Sequence, residues 1–512
     1  MKKRMIALCL CLCMLIVCFA SCASKSNGVG SVTLKEELDS RFSEGGSVPT
    51  ATSAGDEDTT EPATEEGESE RMTEATTVAT TDAVTEEETA GQPVLTEDER
   101  TRMLRMLSGE YQGNTLPIGG WATPASQLRD GYTGVEGSYD AAFQLLADAG
   151  LNFMITLEEW SSSSWPLESL SSAKKAGMKL WYNCVGQGAD YSLEKIRAML
   201  DSEDADALAA IYVKDEPSFD GIGEVADTLG KIREGLGEDN TLPVLANLLP
   251  TYAPPSVITS DYRNYVRTYL ETVKPSLLMF DYYPYQANSG DSLPEMMVNI
   301  AIAKEEADRA GVELYTFIQS SGSSGMREPT LEEIRLNAHL NLAMGVKGFA
   351  YFLTCEHYEG WEYTNMIDAH GETTPLYDKV KTVNEELEAF KGVFLDYDNK
   401  GIMLANYGAV SRRLSLAGCE VVLDSFGVLK DAEASSGKAV IGCFEDEEGR
   451  EAYYVVNVSY TKDADVTLHF DGLQYTAVWT DEGCVRADNS EDLHLQLEPG
   501  QAAFVVLFDV EK

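Results

Sequence analysis

From Leu116 to about Phe390, short apolar runs alternate with amphipathic segments, and the junctions share one signature. Ala149-Gly150-Leu151, Ala176-Gly177-Met178, Ala310-Gly311-Val312 and Met344-Gly345-Val346 each end a helical pattern with glycine and then an apolar residue. Glycine takes the left-handed cap conformation without a Cβ clash, and the apolar residue folds back on the helix just left. A strand-like run follows within a few residues. The predicted strands are Pro117–Trp121, Phe153–Leu157, Lys179–Val185, Leu208–Val213, Pro243–Leu249, Leu277–Tyr282, Glu313–Ile318 and Gly348–Leu353. Helical patterns lie between them, as in Asp140–Ala149, Ile222–Leu236, Tyr262–Val273, Met296–Ala310 and Leu331–Met344. Thr330-Leu331-Glu332-Glu333 has the spacing of a capping box. Eight strand–helix units in about 280 residues predict an α/β fold, a (β/α)8 TIM barrel. A doubly wound sheet would carry a glycine-rich phosphate loop after its first strand, and Gly119-Gly120-Trp121 contains no GxGxxG.

After about Lys400 the helical period fades. Ala439–Phe444, Ala452–Tyr460, Val466–Phe470, Thr476–Thr480, Leu493–Leu497 and Ala502–Phe508 read as strands, punctuated by Gly472, Gly483 and Gly500. They predict a small all-β sandwich domain, with packing on the barrel as its default role and sugar binding as the alternative.

The N-terminus reads as a targeting segment. Lys2, Lys3 and Arg4 precede an apolar stretch from Ile6 to Phe19, which is short for a membrane span. Phe19-Ala20-Ser21-Cys22 then resembles the bacterial lipobox. The resemblance implies cleavage before Cys22, lipidation of its sulfur, and anchoring on the extracellular face of a bacterial cell membrane. The alternative is an ordinary secretory peptide. The chain thus divides into a leader (1–21), an acidic Thr/Glu-rich stalk (22–95), the barrel domain (96–395) and the β domain (396–512). The stalk is poor in apolar residues and its charges repel, so it is expected to stay disordered. Its function would be reach.

A formal charge of -46, with only 39 Lys and Arg, argues against nucleic acid and against anionic membranes as partners. A monomer is expected. Of ten cysteines, four lie in the leader and Cys22 is the anchor. Cys184 and Cys355 read as small buried residues, and a pairing among Cys419, Cys443 and Cys484 stays open. No metal or cofactor is expected: there is no HExxH, phosphate loop, GxSxG elbow or EF-hand spacing, although an acidic loop leaves calcium open.

In a barrel, the residues that follow each strand form the face where chemistry is done. Here those residues are Trp121; Glu158, Glu159 and Trp160; Asn183 and Gln187; Asp215 and Glu216; Asn247; Asp281, Tyr282 and Tyr283; Gln319; and Thr354, Glu356, His357, Tyr358 and Trp361. Carboxylates, amides and aromatics dominate. That set suits a neutral polyhydroxy substrate, whose C–H faces stack on rings and whose hydroxyls bond acids and amides. The most informative stretch is Lys214-Asp215-Glu216-Pro217, directly after an apolar run. Adjacent carboxylates at a strand end repel, and burial raises their pKa, which suits a group that must be a protonated acid at neutral pH. The plainer reading is an acidic strand terminator before proline.

On these residues the chain resembles the barrel-type glycoside hydrolases, over roughly Leu116 to Asp509. At the end of the fourth strand the large retaining clan carries Asn-Glu-Pro, and this chain has Asp215-Glu216-Pro217. The resemblance implies that Glu216 is the general acid/base. Two departures stand out. Asp215 replaces the Asn, and the seventh strand ends in Gln319 where the clan has its nucleophilic Glu. Asp281, Glu356 and Glu158 are the other carboxylates, with Asp281 first. The Asp-Glu pair is also similar to hexosaminidases of families 20 and 123, where the substrate's 2-acetamido oxygen attacks. That resemblance implies Asp215 as stabiliser and Glu216 as acid, with Tyr282 or Tyr283 bonding the acetamido oxygen.

The catalytic candidates are therefore Glu216, Asp215 and Asp281. The substrate-binding candidates are Trp121, Glu158, Asn183, Asn247, Tyr282, Tyr283, Gln319, Glu356 and Trp361. The expected function is a surface-anchored glycoside hydrolase acting on a carbohydrate substrate. The alternatives are a non-catalytic carbohydrate-binding lipoprotein on a degenerate barrel, and a lyase or transglycosylase using the same acid.

Overall fold

The computed structural model describes residues 94–129, 137–157 and 165–510. The leader, Cys22 and nearly all of the stalk lie outside these residues, as do Glu158, Glu159 and Trp160. No helix among the described residues is long and apolar enough to cross a membrane.

Helix α1 (Glu97–Leu107) comes first, with the Thr96 side chain accepting from the Glu99 N–H. The eight predicted strands follow as β1 (Ile118–Trp121), β2 (Phe153–Ile155), β3 (Lys179–Asn183), β4 (Leu208–Asp215), β5 (Val244–Leu248), β6 (Leu277–Asp281), β7 (Glu313–Gln319) and β8 (Gly348–Phe352). They close into one parallel barrel in sequence order. The main helices around them are α2 (Ser138–Asp148), α3 (Trp165–Lys175), α4 (Ala189–Leu200), α5 (Ile222–Leu236), α6 (Tyr262–Val273), α7 (Leu293–Ala310), α8 (Leu331–Ala343) and α9 (Pro375–Ala389). Gly150, Gly177, Gly311 and Gly345 all have positive φ, as the cap signature requires. Thr330 and Glu333 form the capping box at the start of α8.

Alternate residues of each strand face in and out. Phe153, Trp181, Tyr212, Leu245, Met279, Tyr315 and Phe352 belong to the cluster that fills the barrel. Trp181 stacks on Phe153 at 4.4 Å between ring centroids, so it is packing, as its place within the strand suggested. The outward residues meet the helices in a second, larger cluster.

The C-terminal region is the expected all-β domain, built as one curled antiparallel sheet. Strands β9 (Asp398–Ala405), β10 (Leu429–Ser436), β11 (Ala439–Glu445), β12 (Glu451–Asn457), β13 (Ala464–Thr480), β14 (Gly483–Leu497) and β15 (Ala502–Phe508) form one seven-stranded sheet. The predicted runs 466–470 and 476–480 are two halves of β13, which pairs with β10 through the first and β15 through the second. The sheet curls over its own apolar core. Helix α10 (Gly408–Leu416) was also missed: it buries only Val410 and Leu414, a single i,i+4 pair, too little to show a period.

Sheet and barrel share one apolar cluster. A Cβ at Gly442 would lie 2.2 Å from the Ala343 carbonyl oxygen, so only glycine lets β11 approach the end of α8. Helix α1 docks on the sheet rather than the barrel. Arg102 donates to the Tyr397 hydroxyl at 2.6 Å and lies 4.9 Å over the Phe508 ring. The five cysteines among the described residues are all free.

Candidate active site

The inward residues at the strand ends form one layer across the barrel mouth. Trp121, Asn183, Asp215, Asn247, Asp281, Gln319 and Phe352 each sit at or beside the last position of a strand. Asp215 joins this layer through a backbone irregularity. Along β4–β5, Tyr212 pairs with Leu245 and Asp215 pairs with Asn247, so three steps on β4 match two on β5. Side chains alternate at a period of two, so an even strand would turn Lys214 inward with Tyr212 and send Asp215 out. The bulge reverses that phase. Tyr212 and Asp215 then share a face, and the Tyr212 hydroxyl donates to Asp215 Oδ1 at 2.6 Å. Lys214 is exposed.

Glu216 follows in the left-handed region, with φ of 46°. A non-glycine residue rarely holds this conformation, which costs on the order of 1–2 kcal/mol. Its N–H is held by the Asn247 carbonyl at 3.0 Å. Asn247 also works through its side chain: Nδ2 donates to Asp281 Oδ1 at 2.7 Å and more weakly to Asp215 Oδ1 at 3.4 Å. One residue of β5 therefore sets three carboxyl-bearing positions.

Asp215, Glu216 and Asp281 make no ion pair among the described residues. Burial, then Asp281 and Asp215, pushes Glu216 up to about 10. Burial and Asp215 push Asp281 up to about 7, against the Asn247 hydrogen bond. Asp215 is also raised by burial, but Tyr212, Asn247 and Lys214 favour its charged form. The three acids are thereby differentiated. Glu216 keeps its proton at neutral pH, and Asp215 has the most support as an anion.

These shifts set a pH dependence of stability. All three folded pKa values lie above the unfolded ones, so the folded state binds more protons. The cluster costs nothing below the unfolded carboxyl range, and its penalty grows as pH rises from there towards the folded values and levels off above them. Glu216→Gln is expected to melt above the wild type at pH 8 by the equivalent of about 1 kcal/mol or more, with the gap closing near pH 4. Thermal melts of both proteins across that range check this.

Aromatic rings line the rest of the mouth. Trp121 stacks on Phe352 at 5.3 Å, and Tyr283 packs on the same ring at 4.9 Å. Trp361 stacks with the exposed Tyr358 at 5.8 Å. Asn183 is half-buried, and its Oδ1 accepts from the Val185 N–H at 3.0 Å.

Three expected substrate contacts have side chains that are engaged by the protein or turned away from the mouth. Gln319 is fully buried, and both ends of its amide are bound: Oε1 accepts from the Tyr285 N–H, while Nε2 donates to the Tyr285, Arg327 and Ser321 carbonyls. It pegs two loops together and does not face a ligand. Glu356 accepts from the backbone N–H groups of Gly360, Trp361 and Ala369, so its carboxylate organises its own loop. Tyr282 is only 3% exposed and turns towards the helices, while Tyr283 turns to the mouth. Glu158 lies outside the described residues.

Tyr252 was missed. It lies in the loop after β5, packs edge-on to Tyr282 at 5.0 Å, and keeps half of its surface open. Burial of its phenol, with Asp281 and Glu216 nearby, holds that group well above the ordinary tyrosine range. It stands four residues beyond the strand end, where spacing carries no signal.

No known protein family matches the chain, and no curated protein matches it. Solved structures do. An arabinofuranosidase from Xanthomonas axonopodis pv. citri is 9% identical, covering 78% of this chain and 98% of its own, with a TM-score of 0.40. An alpha-galactosidase from Saccharomyces cerevisiae is 7% identical, covering 77% and 97%, with a TM-score of 0.41. The catalytic domain of a beta-amylase from Paenibacillus polymyxa is 13% identical, covering 53% and 98%, with a TM-score of 0.33. These neighbours are glycoside hydrolases.

Proposed function

We propose that this chain is a glycoside hydrolase that cleaves O-glycosidic bonds of an extracellular glycan or polysaccharide. The observation that carries the reading is Glu216: a carboxyl at the barrel mouth, kept protonated by burial and by two neighbouring acids. The proton passes from Glu216 to the leaving glycosidic oxygen as the C–O bond breaks. Positive charge growing on the sugar is stabilised by the Asp215 anion and by Asp281. The Glu216 carboxylate then takes a proton from the incoming water. Trp121, Tyr283 and Trp361 would hold sugar faces, with Asn183 and Tyr252 at the rim.

The seventh strand ends in an amide that is fully engaged elsewhere, so the second group is not a β7 carboxylate. Two candidates remain: Asp281 as nucleophile, or the 2-acetamido oxygen of the substrate oriented by Asp215. Gln319 also favours a second functional reading, a carbohydrate-capturing protein without turnover. A hydrolysis screen of aryl glycosides and polysaccharides, N-acetylhexosaminides included, separates them. Turnover that depends on Glu216 supports the hydrolase, and binding without turnover on every substrate supports capture.

The leader, lipid anchor and stalk complete the proposal as a means of holding a monomeric enzyme at the outer face of a bacterial membrane. Fatty-acid labelling in a bacterial host is expected to be lost in Cys22→Ser. Equal labelling of that variant would rule the anchor out.

A further inference from the structure

The loop between β6 and α7 carries Tyr283 at the mouth, and it is tied down from two sides. Gln319 binds the Tyr285 backbone through both its N–H and its carbonyl. The second tie is ionic. Arg327, in the loop after β7, donates from Nη2 to both carboxylate oxygens of Asp291 at 2.9 Å. The same guanidinium binds Glu333 of the α8 capping box at 2.6 Å and lies 4.9 Å over the Tyr285 ring. Bonds of this charge-assisted, multidentate kind hold geometry as well as contributing energy.

The last member of this clamp comes from the other domain. The Tyr460 hydroxyl donates to Asp291 Oδ2, and its ring meets Tyr285 edge-on at 6.4 Å. Tyr460 lies in the turn between β12 and β13 of the C-terminal sheet. That turn is itself braced: the Gly500 N–H donates to the Ser459 carbonyl at 2.8 Å, and Arg335 of α8 donates to the Pro499 carbonyl. Helix α8 starts at the catalytic face of the barrel, so this edge of the sheet reaches the mouth loops.

We infer that the C-terminal sheet is a positioning element of the active site, with Tyr460 acting through Asp291 on the loop that presents Tyr283. Tyr460 touches no reacting group. Its hydroxyl completes the set of bonds around Asp291 and stops the carboxylate from swinging with its loop. The catalytic part of this inference rests on the hydrolase reading, while the loop-positioning part stands without it.

The test is Tyr460→Phe in the otherwise intact chain, which removes one oxygen and keeps the ring. Hydrogen exchange is expected to quicken in residues 282–292 and stay unchanged in the barrel strands, with the melting temperature within about 3 °C of wild type. On a substrate the wild type hydrolyses, kcat is expected to fall about tenfold with KM within about twofold, since a loosened loop loses alignment more than contact. Unchanged exchange in 282–292 overturns the inference. So does quickened exchange with kcat unaltered, which makes the contact purely structural. Should the wild type hydrolyse nothing, the hydrolase reading fails alone, and the exchange result still decides whether Tyr460 holds the loop.

Discussion

Glu216→Gln is expected to lower turnover by about 10²–10⁴-fold while the protein folds at least as well as the wild type. Loss of the proton donor leaves the leaving oxygen to depart as an alkoxide, which is the costly part of breaking an unactivated glycosidic bond. The effect should therefore follow the leaving group. Alkyl glycosides and polysaccharides should lose the full factor, whereas aryl glycosides with acidic phenols should retain much of their rate. Folding is protected because the amide has the same shape as the acid, and because it is neutral without having to hold the proton that burial, Asp281 and Asp215 force on Glu216. Kinetics on a leaving-group series, with melts alongside, would check both halves. Full activity of this variant on an alkyl glycoside would remove Glu216 from the mechanism.

The second large effect is expected from the two aspartates, and the contrast between them identifies the attacking group. Asp215 accepts from Tyr212 and Asn247, so its carboxylate is held in one orientation. Under substrate assistance, Asp215→Asn should cost about 10²–10³-fold on 2-acetamido sugars, because the developing positive charge on the acetamido group loses its counter-charge. Asp281→Asn should then be the milder change. With Asp281 as nucleophile the order reverses: Asp281→Asn should stop turnover of every sugar, since an amide cannot form the glycosyl intermediate. Rates for both variants on matched 2-acetamido and 2-hydroxy glycosides decide it. Equal, mild losses in both would contradict either route.

Tyr460→Phe and the pH profile of stability probe the same mouth by other physics. One loosens a loop without touching charge, and the other reads charge without touching a loop. Agreement between them would tie the acid cluster and its clamp to one site.

Local patterns carried most of the fold. The capping glycines, the Thr330–Glu333 box and the apolar runs are short-range signals, since a cap or a strand needs only its neighbours to be favourable. The Asp215-Glu216 pair and Asp281 were legible for the same reason: each stands at a strand end, and the strand ends of a barrel converge. What the sequence left open was non-local. The curled sheet depends on how far β13 continues across Gly472 before it bends, and Arg102 of α1 donates to the Leu507 carbonyl of β15, 405 residues away. Tyr282 and Tyr283 are adjacent and identical, so which of them faces the mouth follows from where β6 ends and how its loop turns.

The sequence by itself determined the barrel, the β domain after it and the acidic fourth strand end, because periodicity and caps act within a few residues. Only the tertiary structure decided which way those acids point. The bulge in β4 exists only relative to β5, and it brings Asp215 inward while leaving Lys214 outside. The raised proton affinity of Glu216 exists only because the fold buries it and brings Asp281 of β6 and its neighbour Asp215 beside it. Gln319 shows the same division: its identity withholds a nucleophile from β7, and its role as a peg appears only once the loops of Tyr285 and Arg327 close around its amide.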